Sequence, residues 1–165
     1  MSYAISVGDA PLGYNGNWTG GQTRLSSAPA NGSGKLLQAQ VYPGPSYDLT
    51  GVKIGVFYVV RGNNLTCRGW QVVANLTHNV VNTVPLNLDI VTGDYIGIIF
   101  NYNSGNGYIR RSDNSPGSAC YYYIGDAMGC VNLLFNIASS YKQALQGFGN
   151  PAKMSRRELL VAGII

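Results

Sequence analysis

The feature that most constrains the fold is a strict alternation of side chains along Val52–Val60. In an extended chain, one face of this segment carries five apolar or aromatic residues, Val52, Ile54, Val56, Tyr58 and Val60. Period-two order combined with β-branched and aromatic residues predicts a strand with much of its surface buried. The turn residues Arg61–Asn64 predict a hairpin into Leu65–Val73, and Gly93-Asp94 precedes a third predicted strand, Tyr95–Phe100.

Shorter segments of the same kind lie on both sides of this central stretch. In Lys35–Tyr42, alternate residues are predicted to face the core, namely Leu37, Ala39 and Val41, and Val131–Ala138 predicts a last core strand. About eight to ten strands of this length are typical of β-sandwiches. We therefore predict an all-β fold, a two-sheet antiparallel β-sandwich, as one domain over residues 1–150. The predicted core contains Val56, Phe57, Trp70, Ile98, Phe100, Leu133 and Phe135.

Three motifs carry a resemblance to known proteins. They are Gly-Val-Lys-Ile-Gly-Val-Phe-Tyr at 51–58, Leu-Thr-Cys-Arg at 65–68 and Gly-Asp-Tyr-Ile-Gly-Ile at 93–98. Through them, residues 20–140 resemble loosely defined jelly-roll modules of phage virion proteins and of uncharacterised environmental bacterial proteins. The resemblance implies a jelly-roll-like form of the sandwich. Because the motifs consist mainly of turn and core residues, it supplies no catalytic residue to transfer.

The end of the chain, residues 151–165, differs from the rest in composition. Ser155-Arg156-Arg157-Glu158 matches a helix capping box and precedes an apolar run, which predicts a short C-terminal helix or arm. A segment this apolar is not expected to remain free in water, so it either docks on its own domain or inserts into a neighbouring subunit. We predict an assembly tail whose contact residues are Lys153, Arg156, Arg157, Leu159, Leu160 and Ile164.

Charge and targeting signals bear on partners and location. Charged residues make up 11% of the chain, less than half the usual quarter, and the net charge of +4 arises mainly in the tail. Met1–Gly34 contains one basic residue, Arg24, so the basic arm expected of a genome-binding shell protein is absent and no nucleic acid is predicted. No signal peptide or membrane span is visible. We predict synthesis in a cytoplasm and a final place in a virion or an extracellular assembly.

The residues that carry chemistry are few. His78 is the single histidine and lies in a turn-like stretch without a nucleophile motif, and the seven acidic residues mostly flank glycines. We therefore predict no enzyme, no metal site and no cofactor; Asp94 and Asp126 are either calcium ligands or, more simply, turn-forming residues. Cys67 is predicted to be buried and unpaired, and a Cys120–Cys130 disulfide is left open.

Aromatic residues in predicted loops are the candidates for binding a ligand, because flat rings stack on sugars and fill interfaces. The predicted ligand-binding residues are Trp18, Tyr102, Asn103, Tyr108 and Arg110. Two functions follow from these patterns. The first is a non-enzymatic structural subunit of a phage or virus-like particle, such as a capsid decoration or fibre, whose partners are other copies or a larger particle. The alternative is a carbohydrate-binding module that recognises surface glycans.

Overall fold

The computed structural model describes residues 2–102, 107–153, 156–161 and 163. Within them the chain is built almost entirely of antiparallel strands, which confirms the predicted all-β fold. The elements are β1 Ile5–Gly8, β2 Gly16–Trp18, β3 Gln22–Leu25, β4 Gly34–Val41, β5 Lys53–Arg61, β6 Asn64–Val72, β7 Asn82–Ile90, β8 Tyr95–Ile99, β9 Ile109–Ser112, β10 Ala119–Ile124, β11 Leu133–Leu134, β12 Asn136–Ser139, β13 Lys142–Gln143, β14 Leu145–Asn150 and the six-residue helix α1 Arg156–Val161.

The described strands form three sheets, of which the smallest has the order β13-β9-β2. The smaller layer of the sandwich is a four-stranded sheet in the order β1-β14-β4-β7. The first and last strands of the body are neighbours, with Ile5 opposite Gly149. In β4 the predicted alternation holds for Ala39 and Val41 but is wrong for Leu37, which is exposed while Leu36 is buried. A register shift between Leu36 and Gln38 is the cause, because an extra residue in one strand turns the next side chain to the other face.

The larger layer is a seven-stranded sheet in the order β11-β6-β5-β8-β3-β10-β12. Its two outer strands, β11 and β12, are separated in the chain by Phe135 alone, so the sheet curls until its edges meet and forms a nearly closed barrel. The Phe135 N–H donates to the Asn63 carbonyl oxygen at 2.9 Å, which extends the β11–β6 pairing up to the start of β12. The predicted single core strand Val131–Ala138 is therefore wrong: it is two short strands, and Val131 and Ile137 are exposed.

The apolar core is divided into two clusters. The first lies between the two sheets and includes Ile54 and Val56 from one face of β5. The second lies inside the curled sheet and contains Leu25, Phe57, Leu65, Ala127 and Phe135. Because β5 contributes to both clusters, its strand is apolar on both faces, as its sequence indicates. Of the predicted core, Val56, Phe57, Ile98, Phe100 and Phe135 are buried as predicted, Leu133 is only half-buried, and Trp70 is 43% exposed.

Side chains cap both outer edges of the four-stranded sheet. Next to β1, Asn31 accepts a hydrogen bond from the Ser6 N–H through Oδ1 at 2.8 Å and donates its own N–H to the Ser6 carbonyl at 3.1 Å. Next to β7, the Gln71 amide donates to the Pro85 carbonyl at 3.1 Å and accepts from the Asn87 N–H at 2.9 Å. Pro85 lies on this edge strand, a position at which a sheet tolerates a residue without an N–H. These caps occupy groups that would otherwise pair with another chain.

Candidate functional site

The structure brings Trp18, Tyr108 and Arg110 together where β2 pairs with β9, but it buries Trp18 there. Trp18 lies in β2, not in a loop, and its side chain is 6% exposed. Arg110 lies in the neighbouring strand β9 opposite Asn17 of β2, and its Nη1 is 3.5 Å from the Asn17 Oδ1. Tyr108, just before β9, is exposed, while Asn103 falls outside the described residues. A buried indole has no free face for a sugar, so these residues do not form one stacking platform.

Tyr102 does line a cleft, which has a volume of about 340 Å³ at the end of β8. Its ring is 73% exposed. The polar groups of the cleft include Asn101 and an ion pair in which the Lys53 Nζ lies 2.6 Å from the Asp126 Oδ2. An exposed ring beside amide, ammonium and carboxylate groups can stack on a sugar and bind its hydroxyls. The full lining is Gly21, Gly51, Lys53, Ile99, Phe100, Asn101, Tyr102 and Asp126.

Two glycines let the chain form this cleft. Gly51 has a φ of +61°, and a Cβ at this position would lie 2.4 Å from the side-chain oxygen of Asn101. Gly21 has a φ of +74° and lies directly against the Cβ of Tyr102, at 3.0 Å from the place its own Cβ would take. A larger residue at Gly51 or Gly21 would crowd Asn101 or Tyr102. It would also be strained, because an L side chain is disfavoured at positive φ even where space is free.

Lys53 of this cleft also contacts Trp70, a residue that the sequence pattern assigned to the core. The Lys53 Nζ lies 5.2 Å from the centroid of the Trp70 ring, which is within cation–π range. The sequence also did not predict that Lys53 and Asp126 line the same cleft as Tyr102. The Gly125-Asp126 dipeptide is a turn signal in the sequence, but only the tertiary structure, in which Gly125 bridges to Gln22 of β3, brings Asp126 to Lys53.

The acidic and histidine side chains are held in local hydrogen bonds. Asp94 accepts from the Arg68 Nε at 2.6 Å and from the Val91 N–H at 2.9 Å, and Asp126 accepts from the Met128 N–H at 2.9 Å, as expected of turn residues. The Nδ1 of His78 lies 2.7 Å from the Asp48 Oδ1. The His78 side chain, and then its backbone N–H, lowers the pKa of the exposed Asp48 carboxyl.

All three cysteines are free thiols. Cys120 is buried in β10, and burial raises the pKa of its thiol to about 12. Cys130 lies beside Cys67, as shown by a hydrogen bond of 2.9 Å from the Cys67 N–H to the Cys130 carbonyl oxygen. The prediction that Cys67 is buried is wrong, since its side chain is half-buried.

The described side chains of the predicted assembly tail are all exposed. They include Lys153, Arg157, Leu160 and Val161, and the two apolar residues are 59% and 85% exposed. The side chains of Arg156 and Leu159, and the whole of Ile164, lie outside the described residues. The described part of the tail therefore shows no docking of Leu160 or Val161 on the body of the sandwich.

Comparisons with known proteins assign neither a family nor a function to this chain. No protein-family model and no curated protein matches this chain. Among the helices of the described residues, none has the length and apolar character needed to cross a membrane.

Proposed function

We propose that the protein is a non-enzymatic structural subunit of a larger assembly, such as a phage or virus-like particle, and that residues 151–165 are its contact segment. The observation that carries the proposal is the exposure of Leu160 and Val161 in a tail whose described side chains all face solvent. Of the two fates expected for so apolar a tail, docking on its own domain or on a partner, this exposure favours the partner.

The energetics of such a contact follow from the same residues. Burial of one large apolar side chain contributes about 1.5–3 kcal/mol before ordering costs are subtracted. Lys153 and Arg157 then lie at the rim, where they steer the contact toward an acidic or carbonyl-rich neighbour. Since both edges of the four-stranded sheet are capped and the larger sheet closes on itself, we expect association through side chains of the tail rather than through strand addition.

Sedimentation velocity and electron microscopy at high protein concentration test the proposal. We expect the full chain to form oligomers or particles and the double variant L160S/V161S to remain monomeric. The matched control is I124S/V131S, which removes two equally exposed apolar side chains from the body of the sandwich. If L160S/V161S assembles like the full chain, or if I124S/V131S abolishes assembly equally, the contact segment is not the tail.

A second candidate function, carbohydrate binding, is favoured by the cleft beside Tyr102. Its exposed ring, the Lys53–Asp126 ion pair and the amide of Asn101 supply both a stacking surface and hydrogen-bonding groups. A glycan array probed with the native protein tests this function. We expect Tyr102→Ala to weaken any glycan binding at least tenfold, while Tyr47→Ala, which removes an exposed ring elsewhere, leaves it unchanged. Equal effects of the two variants would contradict a site at this cleft.

A further inference from the structure

Two arginines and three aromatic rings form a stacked cluster where β2, β3 and β9 meet. The guanidinium carbon of Arg24 lies 3.4 Å from the centroid of the Trp18 ring and 4.9 Å from that of Tyr122. The guanidinium carbon of Arg111 lies 4.2 Å from the Trp18 centroid and 4.9 Å from that of Tyr141. Trp18 is therefore within cation–π distance of both arginines.

The cluster carries more positive than negative charge. The Nε of Arg111 is 2.6 Å from the Asp113 Oδ1, so this arginine has an acidic partner. Arg24 has none in the described part of the chain, and its Nη2 donates to the neutral Gln22 Oε1. Burial, together with the nearby charge of Arg111, lowers the pKa of Arg24 to about 10, so it remains a cation at neutral pH. One buried positive charge is thus uncompensated.

Three donors of the cluster also lack an acceptor. The Nε and Nη1 of Arg24 and the indole Nε1 of Trp18 are shielded from solvent and have no hydrogen-bond partner. The Arg24 side chain is only 9% exposed. A buried donor without a partner costs about 1–3 kcal/mol, and more when it is charged, which is why nearly all such groups in native proteins are satisfied. A negatively charged acceptor would supply both the missing hydrogen bonds and the missing charge.

We propose that Arg24, Trp18 and Arg111 form a binding site for a small oxyanion, either a phosphate or a carboxylate group. Arg24 and the indole N–H donate to its oxygen atoms, and Arg111 completes the positive field. Because the free donors are shielded, an incoming ion has to displace a side chain at the rim. Arg111 occupies the rim, since its side chain is 25% exposed. The oxyanion is either a free ion or a group on a larger molecule.

Nitrogen-15 NMR of the full chain tests the site, because the chain has two tryptophans and Trp70 serves as an internal reference. Sodium phosphate, sodium acetate and sodium glucuronate are titrated separately at constant ionic strength. We expect a saturable shift of the Trp18 indole N–H and the Arg24 Nε–H, with no shift at Trp70. Equal affinities for acetate and glucuronate support binding of a free ion, and tighter glucuronate binding supports a carboxylated sugar as the source.

Two variants separate the site from general charge effects. Arg111→Gln removes the rim cation at a partly exposed position, and we expect it to weaken binding at least tenfold. Arg157→Gln removes one positive charge from the exposed tail and is expected to leave binding unchanged. The proposal is overturned if none of the three anions gives a saturable shift, if Trp70 shifts equally, or if Arg111→Gln binds as tightly as the native chain.

Discussion

Phe57 is the side chain on which the interior of the curled sheet most depends. It is fully buried, and its ring meets that of Phe135 edge-to-face, with centroids 5.9 Å apart. Glycines at 55 and 97 make room for it, since a Cβ at either position would lie about 3 Å from the Phe57 ring. The residue therefore connects the central strands β5 and β8 to the junction at Phe135.

The substitution Phe57→Ala is expected to lower the free energy of unfolding by about 3–5 kcal/mol, because it removes buried contacts and leaves a cavity. Urea denaturation followed by tryptophan fluorescence measures the change. Leu134→Ala, at an exposed position of β11 close to the same junction, is the control and is expected to change stability by less than about 0.5 kcal/mol. Similar losses for the two variants would contradict the proposed role of the Phe57–Phe135 contact.

The three thiols are expected to differ in reactivity. Cys120 is buried and has a pKa of about 12, so at pH 8 almost none of it is the reactive thiolate in the folded protein. Cys67 and Cys130 are half-buried with raised pKa values, so we expect slow labelling of these two. Thiol titration of the folded protein should therefore count two slowly reacting groups, both in the unsubstituted chain and in the Cys120→Ser variant. Three groups in the native protein would show that Cys120 is accessible.

The two tryptophans show what residue-level sequence reasoning can and cannot decide. Trp70 lies in a strand and was predicted to be core, whereas Trp18 was predicted to lie in an exposed loop; the structure exposes the first and buries the second. The local sequence does not hold this information. Trp18 is buried because β2 pairs with the distant strand β9. Trp70 is exposed in the second half of β6, where β6 pairs with β5 and no longer with β11.

At the scale of elements, the strand edges are controlled by side chains rather than by charge. Lysine is the usual edge blocker, but charged residues make up only 11% of this chain. Asn31 and Gln71 replace it by bonding directly to the backbone groups of β1 and β7. The side-chain amide of Gln71 occupies one carbonyl and one N–H of β7. Asn31 instead uses its side-chain oxygen for the Ser6 N–H and its backbone N–H for the Ser6 carbonyl.

The substitution Gln71→Ala is expected to destabilise the protein by about 1–3 kcal/mol, the contribution of two hydrogen bonds, and to increase aggregation by freeing the β7 edge. Thermal unfolding and light scattering measure the two effects. Gln40→Ala, at a half-buried position of β4, the strand that pairs with β7, is the matched control. If Gln71→Ala aggregates no faster than Gln40→Ala, the cap does not protect the edge.

At the scale of the whole molecule, the body depends on pairing between the two ends of the chain. β14 lies between β1 and β4, so the four-stranded sheet is complete only after residue 150 has been made. Period-two patterns were sufficient to predict the strands and the all-β sandwich. They were not sufficient to predict that Leu133–Ser139 forms both outer strands of the larger sheet, because the side-chain pattern of a strand does not determine which strand it pairs with.

Two truncations are expected to give opposite results. A chain ending at Asn150 should keep the circular dichroism spectrum and melting temperature of the full protein within a few degrees, since the described tail side chains are exposed. A chain ending at Ala144 lacks β14, which leaves β1 and β4 without their partner, and should not fold. A folded protein ending at Ala144, or an unfolded one ending at Asn150, would contradict this division between body and tail.

The pairing of β1 with β14 also determines how the body responds to mechanical force. Ile5 lies opposite Gly149 and Gly8 opposite Gln146, so the chain enters and leaves the body at the same end of one antiparallel ladder. Tension applied through residues 4 and 150 therefore loads the hydrogen bonds one pair after another, as in a zipper, and not all together as in shear. A body stretched between both ends is mechanically weak, whereas a body attached by residues 151–165 alone carries no load across this ladder.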